Sequence, residues 1–370
     1  MHPRIIRLAL VPFTLMILLL LARQGQAQGF LGRDQPDTTI TPEVRKEVIE
    51  GVLKELNNAY VFPEVARKME EAIRKRMEAR EYDSITSAAA LTKTLTEHLR
   101  AVCHDKHPQV RYSADKLPPM VRMEPTPEER VKMRERMRSR SDFGFKKLER
   151  LEGNIGYLKL NGFAPPDVAG DSAAAAMNFL ADTNALLIDL HDNSGGSPAM
   201  VALLCSYFFD GEPIHLNDIY NRVENNTHQW WTLPYVAGKR YVGKEVYLLT
   251  SNRTFSAAEE FTYNLKNLKR VTVVGETTGG GAHPVTARRV NDHFAVIVPF
   301  ARAINPITKT NWEGTGVKPD VETSADAALK TAHGMALQKL LEKVTDDREK
   351  EALQRLIQTV EGNEKPKDRK

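Results

Sequence analysis

The order of strand and helix across residues 154–321 predicts an α/β fold for the larger part of this 370-residue chain. Two observations carry the prediction. The apolar runs at 185–190 (ALLIDL) and 246–250 (VYLLT) each end in a turn of small and polar residues and then open a helical pattern. The β-branched run at 271–274 (VTVV), closed by Gly275, reads as a further buried strand. Repeated strand–turn–helix units build a mostly parallel sheet with ligands held outside the strand ends.

Taken in order, the chain opens with Arg4 and Arg7, then the apolar run 8–22, then Gly25-Gln26-Ala27. Residues 1–27 are therefore expected to be a secretory signal peptide cut after Ala27, the apolar run being short for a membrane span. The mature chain is then expected in the periplasm or outside the cell, touching a membrane only through that segment before cleavage. Thr41 and Pro42 resemble a helix cap and first turn, and Val44, Val48, Val52 and Leu56 keep helical spacing. With further helices at 64–79 and 84–101, residues 41–110 read as an N-terminal helical domain. His104-Asp105-Lys106-His107 follows, at the mouth of a strand at 108–112. Residues 111–152 read as a connector, proline-rich and then charged, with a solvated helix at 128–140 held by Glu/Arg pairs. It lacks the Gly-Leu-Gly loop and alternating strands of a PDZ module.

The core is expected over 153–325. A strand at 154–160 precedes an Ala-rich helix at 171–181. The run 185–190 leads through His191-Asp192-Asn193-Ser194-Gly195-Gly196-Ser197 into a helix at 199–209. Residues 224–235 carry Trp230, Trp231 and Tyr235, by default packing groups. A strand at 293–298 and the segment Trp312-Glu313-Gly314 follow, then two C-terminal helices over 326–360 and a disordered tail at 361–370. A net charge of +4 gives no sign of a nucleic-acid surface. Cys103 and Cys205 are assigned no disulfide, and no metal cluster or cofactor motif of the right spacing is present.

Ser256 is the candidate around which the core is read. It falls just past a strand end, at the first turn of a helix whose apolar face is Ala257, Phe261, Leu265 and Leu268. Free backbone N–H groups there favour negative charge, so the serine suits a nucleophile with oxyanion donors beside it. It equally suits an N-cap, with Glu259 completing a capping box.

Four segments together resemble the tail-specific (C-terminal processing) serine peptidase family: NIGYLKLNGF, LLIDLHDNSGGS, LLTSNRTFSAAEEF with VVGETTGGG, and WEGTGVKPD. The helical unit with its DKH ending looks like the branch containing interphotoreceptor retinoid-binding protein. The resemblance implies a spiral core of the ClpP/crotonase kind and a nucleophile at Ser256. It also implies an oxyanion hole from the N–H of Gly195 or Gly196 with that of Ala257. Lysine-using members carry the base on the loop after VVGE, where this chain has Gly281. Lys266 and Lys269 lie two to three turns on, roughly 15 Å along the axis. The tricorn branch uses a histidine before the core and a glutamate before GVxPD, which match His107 and Glu313; Lys106 stands where tricorn has a serine. An imidazole can take the serine's proton and a carboxylate can orient it. His283, on the Gly-rich loop, is the competing base.

The function implied is an exported serine-type peptidase, cleaving protein or peptide substrates through an acyl-enzyme on Ser256 with a histidine base. A non-catalytic binding protein for an apolar ligand is the alternative, and a crotonase-like enzyme acting on a non-peptide acyl substrate is a third.

Overall fold

The computed structural model describes residues 36–117 and 127–362. The expected signal peptide and nearly all of the expected tail lie outside them. Three helices come first: α1 (Pro42–Ala59), α2 (Pro63–Glu78) and α3 (Ala88–Cys103). Thr41 caps α1 by accepting from the Val44 N–H, and Ser87 caps α3 by accepting from the Ala90 N–H. Their apolar faces, Val48, Val52, Leu56, Met69, Ile73, Leu91 and Leu95 among them, share one core with Val110, Phe294, Val296 and Val298. The helices thus pack on a sheet. Strand β1 (Gln109–Tyr112) pairs antiparallel with β10 (Phe294–Pro299), which pairs with β9 (Val285–Arg289). The expected boundary near residue 110 therefore falls on a strand hydrogen-bonded to one that comes nearly 200 residues later.

After α4 (Pro127–Ser141), the supposed connector ends in a strand, β2 (Phe145–Leu151), antiparallel to β3 (Ile155–Leu160). Its FKKLERL sequence hid it, because an edge strand with mostly exposed positions needs no apolar run. From β3 the main sheet continues in parallel through β4 (Ala185–Asp189), β7 (Glu245–Thr250), β8 (Thr272–Gly275) and β12 (Val321–Glu322). Successive residues alternate between two cores. Leu186, Ile188, Val246 and Leu248 face the core shared with α5 (Pro166–Leu180), α6 (Pro198–Ser206) and α7 (Ala257–Asn267). Leu187, Tyr247, Leu249 and Val274 face α8 (Ala325–Leu341) and α9 (Asp347–Val360). Burial on both faces is why these strands read as unbroken apolar runs. Helix α5 begins five residues earlier than its alanines suggest, with Pro166 at its first turn.

A third sheet holds β11 (Ala301–Ile304), β5 (His215–Asn221) and β6 (Asn226–Trp231), in that order. The aromatic segment divides there: Trp230 is buried, while Trp231 is half-exposed and stacked on His215 at 4.4 Å. Cys103 and Cys205 are both free thiols. Among the described residues no helix is long and apolar enough to cross a membrane.

Candidate active site

The loops leaving the carboxyl ends of β4 and β7 lie side by side and are laced together. Thr254 Oγ1 donates to the Leu190 carbonyl, Ser251 Oγ to that of His191, and the Phe255 N–H to that of Asn193. This lacing brings Gly195 against Ser256: a Cβ on Gly195 would lie 2.8 Å from the Ser256 Cβ. Gly196, at φ +146, is equally constrained, since a Cβ there would lie 2.2 Å from the Phe163 carbonyl oxygen.

Ser256 itself sits at φ +56, ψ −122, a region costly for a residue with a Cβ. It is held there from the helix side. Its N–H donates to Glu259 Oε2 at 2.9 Å, while the Glu259 N–H returns to the Ser256 carbonyl at 2.8 Å. Glu259 is fully buried and also accepts from Thr278 Oγ1 and from the N–H groups of Gly280 and Gly281. Burial raises its carboxyl above the usual value, and these donors pull against that rise. One carboxylate therefore pins the Gly-rich loop to the serine turn. Lys106 adds a clasp, its Nζ donating to the Gly279 carbonyl at 2.7 Å.

The expected oxyanion donors separate here. The Gly195 N–H is taken by Asn193 Oδ1 at 2.9 Å. Among the described residues, the N–H groups of Gly196 and Ala257 have no backbone or side-chain acceptor, and both residues line the cavity that Ser256 faces. Position 281, where lysine-using relatives carry their base, has no room for one. A Cβ on Gly281 would lie 2.1 Å from the Phe255 ring, which occupies that space.

Both candidate imidazoles line the same cavity, of about 370 Å³. The His107 ring lies 5.1 Å from that of Phe255 and 6.4 Å from that of His283, centroid to centroid. Asp105, 2 % exposed, holds the pair together: Oδ1 accepts from His107 Nδ1 at 2.9 Å and Oδ2 from His283 Nδ1 at 2.7 Å. A carboxylate can only accept, so both rings carry their proton on Nδ1, and Nε2 of each is the basic nitrogen. Glu313 lies by His283, with Oε2 3.4 Å from its Nδ1 and 2.6 Å from the Ala282 N–H. The carboxylate expected to orient His107 is thus not Glu313 but Asp105. Among the described residues neither imidazole is hydrogen-bonded to the Ser256 hydroxyl.

The charges follow from burial. Burial pushes the Asp105 carboxyl up, but hydrogen bonds from His107 and His283 more than reverse this and hold it well below the carboxylate range. Glu313 has weaker opposition, from the His283 charge and the Ala282 N–H. Burial, with the Asp105 charge beside it, pushes it up to about 7. Asp105, His283 and Glu313 place three potential metal-ligand atoms within 4.8 Å of one another, an arrangement that the His283–Asp105 hydrogen bond and the approach of Glu313 to the same ring nitrogen account for. The sequence offered one sign of Asp105: an aspartate two residues before a histidine can fold back on it, as the His107 N–H to Asp105 Oδ1 bond of 2.8 Å does.

Residues 154–323 match the family model for peptidase family S41, and residues 41–146 that for the N-terminal domain of this family in eukaryotic IRBP. Over 179 residues the chain is 28% identical to the chloroplastic carboxyl-terminal-processing peptidase 2 of Arabidopsis thaliana. The match covers 45% of this chain and 31% of that protein, so the chain spans about a third of the length of the curated relative it matches. Among solved structures, that of a candidate peptidase from Parabacteroides merdae ATCC 43184 is similar with a TM-score of 0.57 at 18% identity, covering 79% of this chain and 96% of that one. A lipoprotein from Streptococcus agalactiae follows at 0.52 and 15% identity, over 81% and 98%. Both likenesses concern the fold.

Proposed function

The chain belongs to peptidase family S41, and on that premise we propose that it is an exported serine peptidase acting through an acyl-enzyme on Ser256. The observation that carries the reading is the setting of Ser256. It is a strained serine at a strand-to-helix turn, facing a cavity beside two N–H groups that have no acceptor among the described residues. In the reaction, Ser256 Oγ attacks the peptide carbonyl while His107 Nε2 takes its proton. The carbonyl oxygen becomes an oxyanion held by the Gly196 and Ala257 N–H groups. Asp105 keeps His107 in the Nδ1–H tautomer and stabilises the imidazolium that forms. The amine leaves with the proton from His107, and water deacylates the serine by the same route.

His107 is preferred over His283 because its ring packs on Phe255, the residue next to Ser256, whereas His283 packs on Phe62 at 5.5 Å. His283 and Glu313 then support Asp105 from its other side. Export rests on the arginines and apolar run of residues 1–27. The strand order β12-β8-β7-β4-β3, all parallel, supports a crotonase-like core over 153–325, flanked by the helical domain at 41–110 and the C-terminal helices.

The test is labelling with a fluorophosphonate, together with hydrolysis of a peptide library by the unsubstituted chain and Ser256→Ala. Labelling and hydrolysis that both vanish in Ser256→Ala are expected, with stability changed by less than about 1 kcal/mol, since the Glu259 N–H is carried by the Ser256 carbonyl. An unlabelled Ser256 in an inactive chain would replace this reading with that of a binding protein.

A further inference from the structure

Glu259 and Glu260 are adjacent and both buried, yet the chain treats them differently. Glu259 accepts four hydrogen bonds. Glu260, 5 % exposed, accepts a single one among the described residues, from Asn217 Nδ2 at 3.2 Å. It lies one helical turn below Ser256, its N–H closing on the Ser256 carbonyl at 2.9 Å, and it lines the same cavity. Beside it, Asn217 Oδ1 is buried with no hydrogen-bond partner among the described residues. We propose that Glu260, held from behind by Asn217, forms the polar floor of the substrate side-chain subsite next to Ser256, and that this subsite selects a basic side chain, ammonium or guanidinium.

The proposal rests on the reading of Ser256 as the nucleophile. Much of the cavity wall is apolar, with Ile219, Phe300, Ala303 and Trp312 lining it. Such walls strip water from the methylenes of a long side chain and lower the dielectric around its head. There a carboxylate gains far more from a cation than from a neutral donor. Among the described residues none forms an ion pair with Glu260. Arg100, Lys106 and Arg111 line the cavity from α3, β1 and the turn between them. The Glu260 carboxyl, however, is set by burial, which pushes it up to about 7, and by the opposing Asn217 hydrogen bond. A buried carboxyl left without a counter-charge is costly to ionise, and a guest cation with N–H donors supplies both the charge and the hydrogen bonds that Glu260 lacks. An apolar slot beside a nucleophile, closed by one acid, gives preference for a basic side chain at the bond cleaved.

Two measurements test this. Calorimetry compares benzamidine with uncharged benzamide on the Ser256→Ala chain, with and without Glu260→Gln. Benzamidine is expected to bind at least tenfold tighter than benzamide, and Glu260→Gln to erase the difference. In parallel, kcat/KM is measured on peptides differing only in Lys or Leu before the scissile bond. A Lys-to-Leu ratio above ten that falls at least tenfold in Glu260→Gln is expected. Equal binding of the two probes, or a preference untouched by Glu260→Gln, overturns the proposal whatever the peptidase assay gives. If Glu260→Gln does not fold, equal binding of the probes to the Ser256→Ala chain alone overturns it. Glu260-dependent benzamidine binding without any hydrolysis keeps the cation subsite and removes the peptidase reading, so the two failures are distinct.

Discussion

Replacing Glu260 by glutamine should change the pH dependence of folding more than folding itself. In the folded chain the Glu260 carboxyl titrates at about 7 because burial disfavours its charged form, against a usual value of 4.5. Below pH 4.5 both folded and unfolded chains hold the proton, and the group costs nothing by ionising. Between 4.5 and about 7 the unfolded chain releases the proton first, so stability falls as pH rises; above 7 the loss is complete. A gap of that width corresponds to about 3 kcal/mol. Glutamine keeps the shape and an oxygen for Asn217 but has no proton to release. The expectation is a difference in unfolding free energy between Glu260→Gln and the parent that shifts in favour of the variant by about 3 kcal/mol from pH 4 to pH 8. Urea denaturation at the two pH values measures it, and Glu313, present in both chains, cancels. A difference that stays flat across that range would mean that Glu260 is solvated or already paired, and the burial argument would be wrong.

Asp105→Asn should lower kcat by roughly 10³- to 10⁴-fold with little change in KM, since it frees both imidazoles from their required tautomer; near-parent kcat would remove Asp105 from the mechanism. His107→Ala should be inactive and His283→Ala only impaired, and the reverse order in steady-state kinetics would exchange their roles. Glu259→Ala leaves the Ser256, Gly280 and Gly281 N–H groups and the Thr278 hydroxyl without their acceptor. At about 1–3 kcal/mol for each buried group stranded, this should cost several kcal/mol in urea denaturation, and a loss below about 1 kcal/mol would show that the loop is held otherwise. Gly196→Ala should lower kcat by about a hundredfold or more, because its Cβ meets the Phe163 carbonyl and moves an oxyanion donor; unchanged kcat would exclude that N–H.

Local sequence determined the parts of this protein whose signals are local. Buried parallel strands appear as apolar runs because both faces are covered, and the helix after Ser256 declares its start and its apolar side. The three N-terminal and two C-terminal helices were also legible, the first from its Thr41–Pro42 start and the spacing of its apolar residues. Strand β2 was not, because a mostly exposed, charged edge strand carries no such pattern. One sign of Glu260 was present: it falls on the apolar face of its helix, three residues after Ala257 and next to Phe261. What it could reach was not legible. The tertiary structure decided that Asp105, not Glu313, holds His107, that Asn193 takes the Gly195 N–H, and that the Phe255 ring occupies the space beside Gly281. It also decided that Glu259 is saturated while its neighbour faces a cavity with one donor. His283 meets Asp105 across 178 residues of chain. Periodicity and capping act over one or two turns, whereas a hydrogen-bond partner is chosen by which loops the sheet register brings together.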